Sequence, residues 1–244
     1  MVAKRPFRKI DFDPAFDNTK IELGSDASFP YRPENTYKIP NGDMDDYRKR
    51  TESLNHLQKH AAFFDADCDG VIWPKDTFFG FLTLGFGFFL SAIAVLVVHG
   101  PFSYPTIPKR GDKWTDYLPD PYLRIWIANL HRCKHGSDSE TFDRRGDFQA
   151  SKFDQVLESY SSHYTKEALS LSDGVKMILT RRDLMDLFGI FAFIFEWGST
   201  YMLLWPKDGY MKKDEILGVL DGSIFPVIAQ RNKAGTRAGA FVAK

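Results

Sequence analysis

From Thr77 to Pro108 the chain runs for 32 residues without an Asp, Glu, Lys or Arg, and no other feature limits its fold so strongly. As a single helix, the 22 nearly apolar residues from Thr77 to Val98 would extend roughly 33 Å at ~1.5 Å per residue, enough to cross a bilayer's hydrocarbon layer. Core helices are usually shorter and carry a polar stripe, so the run is read as membrane-contacting. A simple crossing fits poorly. Gly80, Gly85 and Gly87 loosen the helix, and Pro101, Pro105 and Pro108 fall where a straight helix would continue or emerge. The expectation is a monotopic hairpin or interfacial dip that turns at the prolines.

Outside that run the chain reads as globular. With 43% hydrophobic and 26% charged residues among 244, neither disorder nor collagen-like repetition fits. The 32 basic and 32 acidic side chains balance, which excludes a polyanion-binding surface and with it nucleic acid as a partner. Cys68 and Cys133 are too few for a disulfide scaffold, and MVAKRPFRKIDFDP has no apolar stretch of a secretory signal. A reduced, cytosol-facing chain is expected. The 22 Phe residues, concentrated in particular stretches, suggest lipid or a greasy ligand.

Five segments follow from these shifts in pattern. Residues 1–50, with five prolines and no apolar period, read as an irregular polar arm. Residues 51–76 hold a short amphipathic helix, with Leu57, His60, Ala61 and Phe64 on one face and Thr51 or Ser53 as cap, followed by an acidic loop. Residues 77–108 are the membrane segment. Residues 109–230 form a helical domain in which DPYLRIWIANL, KFDQVLESYSSHY and SLSDGVKMILTRRD read as helices, the last capped by Ser172 or Asp173. Within it DLMDLFGIFAFIFEWGSTYMLL is a Phe-rich helix interrupted by Asp183, Asp186 and Glu196, read as core or membrane-surface rather than as a second span. Residues 231–244 are a basic Gly/Ala-rich tail.

The acidic loop carries the sharpest chemistry. Asp65, Asp67 and Asp69 occupy positions 1, 3 and 5 of a twelve-residue window with Gly70 at 6, Ile72 at 8 and Asp76 at 12. Carboxylates at alternate positions converge on one hard cation, Gly70 takes the positive φ of the sharp turn, and the Val71 carbonyl supplies the seventh position's oxygen. This is the pattern of an EF-hand. Asp76 is one methylene shorter than the usual Glu, which favours weaker Ca²⁺ binding or Mg²⁺ at rest. A second window, Leu204–Glu215, matches at Asp208, Gly209, Met211 and Glu215 but lacks two carboxylates; it is expected to be an ion-free partner that pairs with the first loop.

Histidine spacing leaves alternatives open. His56 with His60, and His131 with His135, share i, i+4 spacing, so four imidazoles could form one zinc or non-haem iron site. His60 on the inward face of its helix could equally be a core residue bonded to a carbonyl.

Taken together, LQKHAAFFDADCDGVIWPKDTFFGF, PFSYPTIP, LHRCKHGSDSETFDRRGDF, FEWGSTYMLLWPKDGYMKKDEI and LDGSIF resemble the caleosins over roughly residues 51 to 228. That resemblance implies a calcium-binding, lipid-droplet and endoplasmic-reticulum protein on the cytosolic face, with a proline-knot membrane segment and a haem-dependent peroxygenase activity. Fatty-acid hydroperoxides would be the oxygen donors and unsaturated fatty acids the acceptors, with His60 and His135 as the haem-associated residues. The fold expected is mainly α: an EF-hand-type helical domain with one active and one degenerate loop, plus the hydrophobic hairpin. Because His60 precedes the apolar run and His135 follows it, a shared porphyrin requires that run to return to the side it left. The rival from another class is a non-catalytic, calcium-regulated droplet coat or docking protein. Self-association is left open.

Overall fold

The computed structural model describes Tyr47, Lys49, residues 51–108 and residues 118–233. The predicted arm 1–50 lies outside these residues apart from Tyr47 and Lys49, which are helical, as do residues 109–117 and the tail beyond Lys233; residues 231–233, expected to begin that tail, instead end the final helix.

Helix–strand–helix units recur along the described chain and associate in two pairs. The first pair comprises α1 (His56–Ala62), β1 (Val71–Ile72) and α2 (Pro74–Thr83), followed by α3 (Phe88–Thr106), β2 (Ile125–Trp126) and a 3₁₀ helix (Ile127–Cys133). The second comprises α4 (Ala150–Tyr160), β3 (Ala168–Ser170) and α5 (Leu171–Arg181), followed by α6 (Leu187–Leu204), β4 (Tyr210–Lys212) and α7 (Lys213–Leu220). A last helix, α8 (Ile224–Lys233), packs on α2 and α7.

A short antiparallel ladder ties each pair, and the ladders overturn two expectations. Val71 and Ile72 lie opposite Trp126 and Ile125, so the Asp65 loop does not pair with the Leu204–Glu215 window. That window's strand pairs instead with Ala168–Ser170, Met211 opposite Leu169. DPYLRIWIANL supplies a strand and a 3₁₀ helix rather than an amphipathic α-helix. Ile72, Ile125, Leu169 and Met211 are all buried, and joint burial of these facing residues fixes the pairing. The true partner of the Asp65 loop carries no ligand pattern that a search for carboxylates could find. Two residues before its buried Ile125 stands Leu123 at φ 52°, where the related loops have Gly70 at 83° and Gly209 at 81°. Beside it the Arg124 guanidinium grips Asp120 through bonds of 3.0 and 2.9 Å and lies over the rings of Trp73, Tyr122 and Trp126.

The apolar run is not one helix. α2 stops at Thr83, Gly85 takes φ 95°, and Gly87 caps α3. The two helices fold back on each other so that Thr77 Oγ1 meets His99 Nε2 at 2.7 Å. The turn thus lies at the glycines, while Pro101 and Pro105 sit inside α3. A proline forfeits one helical hydrogen bond, but a φ of that sign strains any residue except Gly. α3 ends at Thr106, whose hydroxyl accepts the Trp126 N–H at 3.2 Å and whose carbonyl accepts the Asn129 amide at 2.9 Å.

Local signals explain the other boundaries. Asn55, not Thr51 or Ser53, caps α1 in a capping box with Gln58, and Ser170 caps α5 with Asp173 as its box partner. The most apolar stretches of α3 and α6 are each only 28% buried, so α6 gives one face, with Phe193 and Trp197, to the core and leaves the rest outward. The core is assembled from Phe153, Leu157, Met177, Phe193 and Trp197 in the second pair, and from Ala61, Ile72, Ile125 and Ile127 in the first.

Candidate functional site

Asp65, Asp67 and Asp69 bring carboxylate oxygens within 4.8 Å of one another. Asp65 is fully buried and accepts the N–H groups of Asp69 at 3.2 Å and Gly70 at 2.9 Å. Burial, with the Asp69 and Asp67 carboxylates beside it, pushes its carboxyl up to about 7; a cation there would relieve both causes. Val71 follows in β1, its N–H bonded to Asp69 Oδ1 at 2.8 Å. Asp76 stands outside the three-carboxylate cluster and accepts the Trp73 N–H at 2.9 Å, closing the first turn of α2.

Among the described residues those three aspartates are the one group of three or more potential metal-ligating side chains, so the four-histidine site is not assembled. His56 packs on Phe148 with ring centroids 5.9 Å apart. His131 lies in the 3₁₀ helix and His135 in the segment after it, so the two do not share an α-helical face.

His60, His131 and His135 instead line one cavity of about 290 Å³ between the two pairs of units. Leu57, His60, Ala61 and Phe64, the four residues placed on the inward face of α1, all contribute to its wall. Phe81, Val97, Phe102 and Phe195 make much of the rest, and Ile72 and Ile125 of the first ladder are among the lining residues. The cavity is apolar over most of its surface, with a polar end formed by Lys134, His135, Asp138 and Glu196.

The two histidines predicted to act together are held differently. His60 Nδ1 lies 2.7 Å from the Val219 carbonyl. A carbonyl only accepts, so Nδ1 carries the proton and Nε2 keeps its lone pair. Burial holds His60 below the ordinary imidazole range, so it is neutral and able to ligate. His135 has Nε2 3.9 Å from Glu196 Oε1 and Nδ1 3.8 Å from Asp186 Oδ2, with no hydrogen-bond partner for the buried Nδ1. Glu196 foremost, then Asp186 and Asp138, raises its pKa against the opposing effect of burial. Asp186 also builds the site: it caps α6 through the Gly189 N–H at 2.7 Å and binds the N–H groups of Gly136 and Ser137 at 2.8 and 3.0 Å.

Sequence reasoning noted Asp186 and Glu196 only as interruptions. Glu196, an ionisable residue inside an otherwise apolar helix, and Asp186 at the cap of that helix were the available signals.

These residues suit a haem: an apolar recess, an imidazole whose Nε2 is fixed by a carbonyl on its other nitrogen, and an unpartnered buried imidazole nitrogen at His135. The carboxylate cluster suits a hard divalent cation.

A family profile for caleosin-related proteins matches residues 52–229. The chain belongs to the caleosin family. Similar relatives include a "Peroxygenase" of Lilium longiflorum, 35% identical over 76% of this chain and 74% of its own, and a "Probable peroxygenase 4" of Arabidopsis thaliana, 33% identical over 76% of this chain and 91% of its own. A "Probable inactive peroxygenase-like protein" of Arabidopsis thaliana is 24% identical over 66% of this chain and 73% of its own. No solved structure matches. Within this caleosin, both long apolar helices, α3 and α6, have the length and composition of membrane-contacting segments.

Proposed function

We propose that this caleosin is a calcium-binding haem peroxygenase of lipid-droplet and endoplasmic-reticulum surfaces, transferring one oxygen from a fatty-acid hydroperoxide to an unsaturated fatty acid. The observation that carries the reading is the convergence of His60 and His135, 75 positions apart in the sequence, on a single apolar cavity. A haem bound there would supply the redox chemistry that splits the hydroperoxide O–O bond, the donor leaving as its alcohol and the acceptor gaining the oxygen.

His60 Nε2 would hold the iron, the Val219 carbonyl keeping the ring oriented. His135, at the polar end beside Glu196 and Asp186, would take and return a proton at the peroxide. Phe81, Phe102 and Phe195 exclude water and receive the hydrocarbon. Asp65, Asp67 and Asp69, with the Val71 carbonyl and Asp76 completing the set, would hold Ca²⁺, or Mg²⁺ at rest. Exposed apolar side chains on α3 and α6 support contact with a lipid surface on the cytosolic side.

Absorption spectroscopy of the haem-reconstituted full chain tests this reading. A Soret band lost in His60→Ala, together with hydroperoxide-dependent oxidation of a small sulfide lost in His135→Ala, is the expected result. Protein that stays colourless yet still binds droplets would leave the coat role in its place.

A further inference from the structure

α3 and α6 each wall the cavity on one side and turn an apolar face outward on another. On α3 the outward residues are Phe89, Ile93 and Leu96, 81%, 45% and 73% exposed; on α6 they are Leu187, Phe191 and Ile194, 77%, 50% and 50% exposed. α3 has no charged residue, and Glu196, the single one on α6, lines the cavity. One turn beyond an outward residue stands a wall residue on each helix: Val97 after Ile93, and Phe195 after Phe191, the spacing that puts side chains above one another on a helix. The helices meet where Phe102 packs on Phe188, centroids 5.8 Å apart, and the same Phe188 ring lies 6.1 Å from His135.

We propose that the seam between α3 and α6, beside the Phe102–Phe188 contact, opens as a portal through which one fatty-acid chain slides from a lipid surface into the cavity without passing through water. The inference rests on the peroxygenase reading for the chemistry at its inner end. Moving methylenes from lipid into water is costly, and the strips Ile93–Val97 and Phe191–Phe195 avoid that step by offering apolar contact from surface to wall. At about 290 Å³, the cavity sits at the small end of ligand pockets and is shared with the haem of the proposed function, which leaves room for a single chain rather than the paired chains of a phospholipid. An unesterified fatty acid is therefore the occupant.

The test uses the full chain on phosphatidylcholine vesicles containing a fatty acid with a mid-chain diazirine, with adducts mapped by peptide mass spectrometry. Wild type is expected to carry adducts on Val97, Phe102 and Phe195. Ile93→Asp and Phe191→Asp should each lower wall labelling at least tenfold per vesicle-bound molecule, whereas Phe79→Asp, which removes a still more exposed Phe on α2, should leave it within twofold. Adducts confined to outer residues such as Phe88 and Phe89 overturn the portal, and that wild-type map decides even if a variant fails to fold. Equal wall labelling from a diazirine placed in the phosphatidylcholine itself overturns the assignment to unesterified acid. Because labelling needs no turnover, a chain that labels as expected but oxidises no soluble sulfide would discard the peroxygenase chemistry and keep the portal.

Discussion

At Asp65, burial and two neighbouring carboxylates act together on one group. With its carboxyl raised to about 7, the folded ion-free chain keeps a proton that the unfolded chain releases near pH 4. Ion-free stability should therefore fall as pH rises from about 4 to 7, and Ca²⁺ should restore it by replacing the proton. Melting temperatures across that window, with and without Ca²⁺, check the sign; an ion-free melting point that rises with pH refutes it. Calorimetric titration of wild type should give one site, and Asp65→Ala none. Cys133 is a contrasting case, where burial pushes the thiol up to about 12. It should resist iodoacetamide at pH 8 in the native protein and react on unfolding, as peptide mapping of that cysteine will show.

At the scale of elements, the hairpin and the ladders make opposite demands on sequence. Gly85, at φ 95° and with a Cβ position 2.9 Å from Asn232 Nδ2, should cost about 1–3 kcal/mol when changed to Ala. Pro105→Ala should leave thermal stability equal or higher, because α3 already passes through that position. A hairpin turning at the prolines would reverse the two results. The ladders can be separated in the same way. Leu169→Ala should lose about 2–5 kcal/mol with unchanged ion affinity, since its ladder belongs to the second pair. Ile125→Ala should lower both stability and ion affinity, because its partner is Ile72 of the Asp65 loop.

Across the whole molecule, the ion loop and the cavity share a wall. Ile72 and Ile125 are at once the ladder behind the carboxylates and part of the cavity lining, while α1 carries His60 into the same loop. A change in loop geometry on ion binding must therefore reach the cavity. Haem affinity should differ by about fivefold or more with and without Ca²⁺, and Ca²⁺ affinity should shift by the same factor on haem loading, because coupling between sites is reciprocal. Titrations in both orders measure it, and identical haem affinities in the two states would exclude the coupling.

Much of this was legible in the residues themselves. The acidic loop with its obligatory Gly70, the inward face of α1 and the apolar character of the run after Asp76 are local: spacing along a helix or loop fixes which side chains share a face or converge. The mate of the Asp65 loop was not legible, because Leu118 and Tyr122 stand at the places of Asp65 and Asp69, and a left-handed Leu123 at that of Gly70, where carboxylates and glycine would have announced a related unit. Nor was the turn at Gly85 rather than Pro101, or the arrival of Asp186 and Glu196 beside His135. Those depend on which apolar surfaces find one another when the chain closes. Burial is non-directional, so only the assembled core selects among partners that local pattern leaves equal.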